Sequence, residues 1–125
     1  MPENKDVILE QESAESPLEY KSGILTYKGT RYKLKYGLKR IEMIENTLGK
    51  SMVSIMQSGS MTITELTVTF AYGLIKEDAY IFEPTKRAKE LAEELLEAES
   101  GAYQKISDMI ADALERDCPF FFPKG

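Results

Sequence analysis

The change of hydrophobic period between Gly23 and Gly49 constrains this chain more than any other feature. From Ile24 to Tyr27, and again from Arg31 to Tyr36, the pattern alternates every second residue. In the second run Tyr32, Leu34 and Tyr36 fall on one face, and Arg31, Lys33 and Lys35 on the other. Lys28-Gly29-Thr30 between the runs supplies a turn in which glycine takes the positive φ, so the two runs predict a β-hairpin. After Gly37 the period becomes helical: Leu38, Ile41, Ile44 and Leu48 recur three or four apart, and Gly49 suits a left-handed helix stop. An isolated hairpin is marginal in water, so its tyrosine and leucine face must rest on helices from the rest of the chain.

Those helices read from caps and apolar stripes. Ser51 caps a short helix carrying Met52, Val53, Ile55 and Met56, and Gln57-Ser58-Gly59-Ser60 is a turn. Thr62 and Glu65 have capping-box spacing for a third helix reaching about Ile75. Its β-branched residues (Thr62, Ile63, Thr64, Thr67, Val68, Thr69) also permit a strand, and the cap decides for a largely buried helix. Lys76-Glu77-Asp78 marks a loop, and Pro84 opens a fourth helix from Thr85 to Glu99 with Ala88, Leu91, Ala92 and Leu95 inward. Gly101 breaks the chain before a fifth helix with Ile106, Met109, Ile110, Ala113 and Leu114 on one stripe, ending ahead of Cys118-Pro119. The expected fold class is α+β, an N-terminal β-hairpin packed on a bundle of four to five α-helices.

A chain of 125 residues has room for one domain with one modest core. Residues 1–20 hold Glu3, Asp6, Glu10, Glu12, Glu15 and Glu19 against Lys5 and read as a flexible acidic arm, with Val7-Ile8-Leu9 as a candidate short strand. Residues 21–117 form the expected single domain, and residues 118–125 an extended tail rich in phenylalanine and proline. No apolar run approaches the length of a membrane span, and the polar, acidic start is unlike a signal or transit peptide. The single cysteine, Cys118, cannot close an internal disulfide, which fits a reducing cytoplasm.

Histidine is absent, which removes the commonest general base and most zinc or triad arrangements. Cys118 lacks an activating neighbour and reads as a packing residue. Gly23, Gly29 and Gly37 are spaced for turns, not for a phosphate-binding loop. These absences argue against an enzyme; no catalytic residue, cofactor or metal is expected.

Two features carry binding chemistry. Between Lys21 and Arg40 stand seven basic residues and no acidic one, so Lys28, Arg31, Lys33 and Lys35, interleaved with tyrosines, form a candidate nucleic-acid patch. The alternation already explains them as a solvated face, and a net charge of −5 weakens a nucleic-acid role. The second feature is Phe120-Phe121-Phe122 between two prolines, three large rings that either close the core or anchor a partner. Met52 and Met56 join them as candidate partner-binding residues, because flexible thioethers suit adaptable surfaces. Met43, Met61 and Met109 share that chemistry, with core filling as the competing role. The run Phe-Phe-Phe-Pro-Lys-Gly can also be encoded by runs of identical bases on which a ribosome slips.

The pattern Leu25-Thr26-Tyr27-Lys28-Gly29, Tyr32-Lys33-Leu34-Lys35-Tyr36-Gly37, Ile41, Ile44-Glu45 and Leu48-Gly49-Lys50-Ser51, continuing through Thr62-Ile63-Thr64-Glu65-Leu66 and Ala71-Tyr72-Gly73-Leu74, resembles the tail assembly chaperones of long-tailed bacteriophages. The gene-transfer-agent type is the nearest in pattern, over roughly residues 23–117. The resemblance implies a small α+β protein that coats the tape-measure protein, keeps that apolar chain soluble and helps recruit tail-tube subunits. It also implies weak self-association, residence in the bacterial host cytoplasm, absence from the mature virion and, in many such phages, a frameshifted longer product. A structural tail protein (tube or completion) and a small nucleic-acid-binding regulator remain the alternatives.

Overall fold

A change of pairing partner along the chain, from hairpin to helices and back to strand, wraps the helices against one sheet. The computed structural model describes residues 18–123; most of the acidic arm, the Val7-Ile8-Leu9 segment and the last two residues lie outside the described residues. Strands β1 (Leu18–Lys21), β2 (Ile24–Tyr27), β3 (Thr30–Leu34) and β4 (Leu74–Lys76) form one antiparallel sheet in the order β1-β2-β3-β4. Helices α1 (Leu38–Leu48), α2 (Met52–Gln57) and α3 (Ile63–Gly73) lie between β3 and β4 in sequence. Helices α4 (Thr85–Ala98) and α5 (Ala102–Asp117) come after β4, and a 3-10 turn spans Pro119–Phe121. The α+β class is as expected, with a four-stranded sheet where the alternation predicted a hairpin.

The first three strands are joined by two-residue turns. Leu18 pairs with Tyr27 and Lys21 with Ile24, leaving Ser22-Gly23; Tyr27 pairs with Thr30, leaving Lys28-Gly29. All four turn residues have positive φ, the type I′ geometry whose twist matches that of the strands. The arm therefore ends earlier than expected. Leu18 and Tyr20 alternate inward, Leu18 is fully buried, and residues 18–20 belong to the sheet.

Helix α3 is helical despite its β-branched residues because its first turn is closed chemically. Thr62 Oγ1 accepts the Glu65 amide at 3.0 Å, and Glu65 Oε1 accepts the Thr62 amide at 2.9 Å. Lys50 Nζ donates to the other Glu65 oxygen at 2.7 Å. Leu66 through Ala71 are all buried, so the helix is enclosed by α1, α4, α5 and β3. It ends at Gly73, two residues before the expected Ile75, and the chain passes straight into β4. Tyr36 explains the stop: its ring lies against Gly73, where an added Cβ would sit 2.5 Å from two ring carbons. Its hydroxyl donates to the Thr69 carbonyl at 2.7 Å, and the Lys35 amide donates to the Gly73 carbonyl at 2.9 Å.

The core joins Leu25, Leu34 and Leu74 of the sheet to Ile41 and Ile44 of α1, Phe70 of α3, Leu95 of α4 and Ile106 and Ile110 of α5. Gly49 ends α1 at φ 72°, and its amide returns to the Glu45 carbonyl at 2.8 Å, as a left-handed helix stop requires. Leu38 departs from the expected α1 stripe. It opens the first turn, one residue after the extended Gly37, and is 64% exposed while Ile41 and Ile44 carry the buried face.

Gly73→Ala is expected to lower stability by about 1–3 kcal/mol through overpacking against the Tyr36 ring. Gly37→Ala, at an extended backbone with open space, is expected to stay within about 0.5 kcal/mol of the parent; urea unfolding compares the two. Thr69 Oγ1 is buried without a hydrogen-bond partner, so Thr69→Val is expected to be neutral or stabilising in the same assay. The Lys50 bond and then the Thr62 amide hold the Glu65 carboxyl below its ordinary range. A depressed folded-state pKa contributes stability that is complete above the unfolded value and is lost as pH falls through the folded value. Glu65→Gln is therefore expected to remove part of the wild-type stability loss between neutral and acid pH, read from urea midpoints across that range.

Candidate functional site

The chain leaving α1 builds one wall of a groove. Ser51 Oγ accepts the Ser54 amide at 3.0 Å, and a Glu45 carboxylate oxygen accepts the Met52 amide at 2.8 Å, so both of these first-turn donors of α2 are satisfied. This fixes the rotation of α2: Met52 and Ile55 point into the core, Met56 is half-buried at its edge, and Val53 faces outward. The turn after α2 is held by the Ser58 hydroxyl, shared between the carbonyls of Ile55 and Ser60 at 2.7 and 2.8 Å. The Tyr103 hydroxyl donates to the Met61 carbonyl at 2.6 Å and ties this wall to α5.

Helix α5 is the opposite wall. Its apolar stripe, Ile106, Met109, Ile110, Ala113 and Leu114, is buried as its spacing predicts. Between the walls runs an open groove of 390 Å³ whose apolar lining includes Met56, Met61, Ile110, Ala111, Leu114 and Phe122. Ser107, Asp108 and Glu115 supply its polar lining from α5.

The C-terminal segment closes one end. Cys118 is buried and its amide returns to the Leu114 carbonyl at 2.7 Å, which anchors the phenylalanine segment to the end of α5. Burial, then the Asp117 charge, pushes its thiol up, as befits a packing residue and not a nucleophile. The segment from residue 118 is not the extended tail that its prolines predict. Pro119–Phe121 makes a 3-10 turn, with the Phe121 and Phe122 amides returning to the Cys118 and Pro119 carbonyls at 3.1 and 3.0 Å. A proline at the first position of such a turn loses no hydrogen bond, which is why the flanking proline does not force extension. Phe121 packs against the core; Phe120 leans on it at a 50° tilt with centroids 4.8 Å apart yet stays 56% exposed; Phe122 reaches the groove.

The five expected partner-binding residues therefore separate. Phe122 and Met56 meet in the groove, Phe120 stands exposed beside it, and Phe121 supports the turn from below. Met52 is a correction: it is fully buried, because the Glu45 and Ser51 caps turn it inward, and it cannot meet a partner. Met109 is likewise core, whereas Met61, Ala111 and Leu114 join the groove through helix packing that no local motif announces.

Two of the four basic-patch residues are paired with the chain's own carboxylates. Lys28 Nζ lies 3.1 Å from a Glu94 oxygen, and the Arg31 guanidinium forms a two-bonded pair with Glu77. Tyr27 also donates to Glu94 at 2.7 Å, and Tyr27 and Tyr36 are buried, so their rings offer no stacking face. Lys33 and Lys35 line a separate surface pocket with Ile75, Tyr80 and Phe82. That pocket exists because the loop after β4 folds back: Phe82 bridges Ile75, and Arg40 stacks on the Phe82 ring at 3.6 Å. Tyr80 at its tip is 97% exposed.

Among the described residues no group of histidine, cysteine or carboxylate side chains is arranged to hold a metal ion, and no helix is long and apolar enough to cross a membrane. Compared with protein-family profiles, with curated proteins and with solved structures, the chain matches none.

Met52→Ala is expected to cost about 2–5 kcal/mol, as a buried methionine truncated in a core. Phe120→Ala is expected to change stability by less than about 0.5 kcal/mol; thermal or urea unfolding of both variants checks the division between core and surface.

Proposed function

We propose that this protein is a tail assembly chaperone of a long-tailed bacteriophage. It binds the tape-measure protein during tail morphogenesis and helps recruit tail-tube subunits around it. The observation that carries this reading is the apolar groove between α2 and α5, lined by Met56, Met61 and Phe122. Flexible thioethers and an aromatic edge let one groove accept many apolar segments of a long helical chain, which a chaperone requires and a single-ligand site does not. The rest of the fold supports the same role. A capped, closely packed core holds the groove walls rigid, and a net charge of −5 keeps the carrier itself soluble. The sequence resemblance over residues 23–117 supplies the identity of the cargo.

The protein acts without chemistry in this reading: it makes no covalent intermediate and needs no cofactor. It binds in the host cytoplasm, several copies along one tape-measure chain with weak contacts between copies, and leaves before the virion is complete. The pairing of Lys28 and Arg31 with Glu94 and Glu77 weakens the basic hairpin as a competing binding surface.

Co-expression with the product of the long reading frame that the proposal expects downstream of this gene, the tape-measure protein, tests it. The tape-measure protein is expected in the soluble fraction only when this chain is present, and this chain is expected to be missing from purified virions by mass spectrometry. An equally insoluble tape-measure protein in both cases, or stoichiometric presence in virions, would overturn it; the second result would point to a structural tail protein.

A further inference from the structure

The groove also specifies the charge of its occupant. Its lining from α5 runs from Ser107 to Glu115, nine residues or about 12 Å of helix, enough to seat two turns of a second helix. Ala111 stands exposed at the middle of that stretch, with Ser107 a turn before it, and Gly59 and Ser60 face them from the other wall. Small residues on both walls let a backbone approach closely. Among the described residues Asp108 and Glu115, seven apart and therefore on one side of α5, are the charged residues of the lining, and no lysine or arginine lines it. Gln104 Nε2 donates to one oxygen of Asp108 at 2.8 Å and steadies it at the rim.

From this arrangement we infer that the groove takes an amphipathic helix whose apolar stripe is flanked by lysine or arginine. The apolar side chains, at i, i+3 or i+4 and i+7, contact Met56, Met61, Ala111 and Phe122, and the flanking cations pair with Asp108 and Glu115. Two of the chain's own apolar segments do not match. Tyr80-Ile81 is flanked by Glu77, Asp78 and Glu83, and Val7-Ile8-Leu9 by Asp6 and Glu10, so each would bring carboxylates to a carboxylate rim. The inference rests on the chaperone reading in taking a tape-measure helix as the natural occupant. It narrows that occupant to segments with cations beside the apolar stripe.

The probes are two synthetic helical peptides of about 15 residues with one leucine stripe, flanked by lysine in one and by glutamate in the other. Fluorescence anisotropy against the full-length protein at low and high salt reads their affinities. The lysine peptide is expected to bind about three- to tenfold tighter at low salt, with the advantage shrinking at high salt. The Asp108→Asn, Glu115→Gln double variant is expected to bind both peptides alike. Ala111→Arg, a substitution at an exposed helix position, is expected to keep the parent melting temperature and lose the lysine peptide. Equal affinity of the two peptides for the parent, or undiminished binding of the lysine peptide by Ala111→Arg, would overturn the inference. Tape-measure fragments that bind parent and Ala111→Arg equally would overturn the groove assignment and leave the chaperone reading standing. Lysine peptides that bind in the groove while no tape-measure fragment binds would sink the chaperone reading and support the groove's charge preference.

Discussion

The contact between the Tyr36 ring and Gly73 holds the sheet and the helices in one piece. Only glycine leaves room for the ring at that point; the Tyr36 hydroxyl adds a bond to the Thr69 carbonyl, and the Lys35 amide takes the Gly73 carbonyl that the end of α3 leaves open. The Tyr36 amide, in turn, donates to Asp117 at 2.9 Å, so the same residue reaches the last turn of α5. Burial pushes the Asp117 carboxyl up, but the bonds from Arg116 and the Tyr36 amide outweigh it and hold it low. Arg116 also donates to the Leu34 carbonyl at 2.6 Å. One tyrosine, two residues past β3, thus meets both the end of α3 and the last turn of α5. The position of α5 depends on it, and with α5 one wall of the groove.

The second wall depends on caps rather than on a plug. Helix α2 is too short to be stable alone and takes its direction from Gly49, Ser51 and Glu45. Those three residues decide that Met52 goes inward and leave Met56, one turn later, at the groove. Rigidity of both walls matters for a surface with adaptable side chains. In the proposed role the backbone forms the trough, and the methionines and Phe122 are the side chains that adjust within it.

Much of this is legible in the sequence where local chemistry is decisive. The hairpin turn at Gly29, the Gly49 stop, the Ser51 cap and the Thr62–Glu65 capping box each act within four residues, and each is present in the fold. Strands β1 and β4 are not legible, for opposite reasons. Leu18 and Tyr20 sit at the end of an acidic run that hides a two-residue alternation, while Leu74-Ile75-Lys76 continues the apolar run of α3 until Tyr36, far back in the chain, ends the helix. The groove is half legible. Phe122 and Met56 are visible as residue types, but Ala111 and Met61 matter only through the packing of α5 on α2. Met52 goes the other way because a six-residue helix has no stripe long enough to orient it.

Hydrogen–deuterium exchange on the complex with the tape-measure protein tests the central claim most directly, because it locates the contact without altering either partner. The account predicts added protection in residues 55–61 and 107–115 and in the segment around Phe120–Phe122, with the outer face of β3 unchanged. Protection confined to residues 28–35, with the groove exchanging as in the free protein, would contradict it.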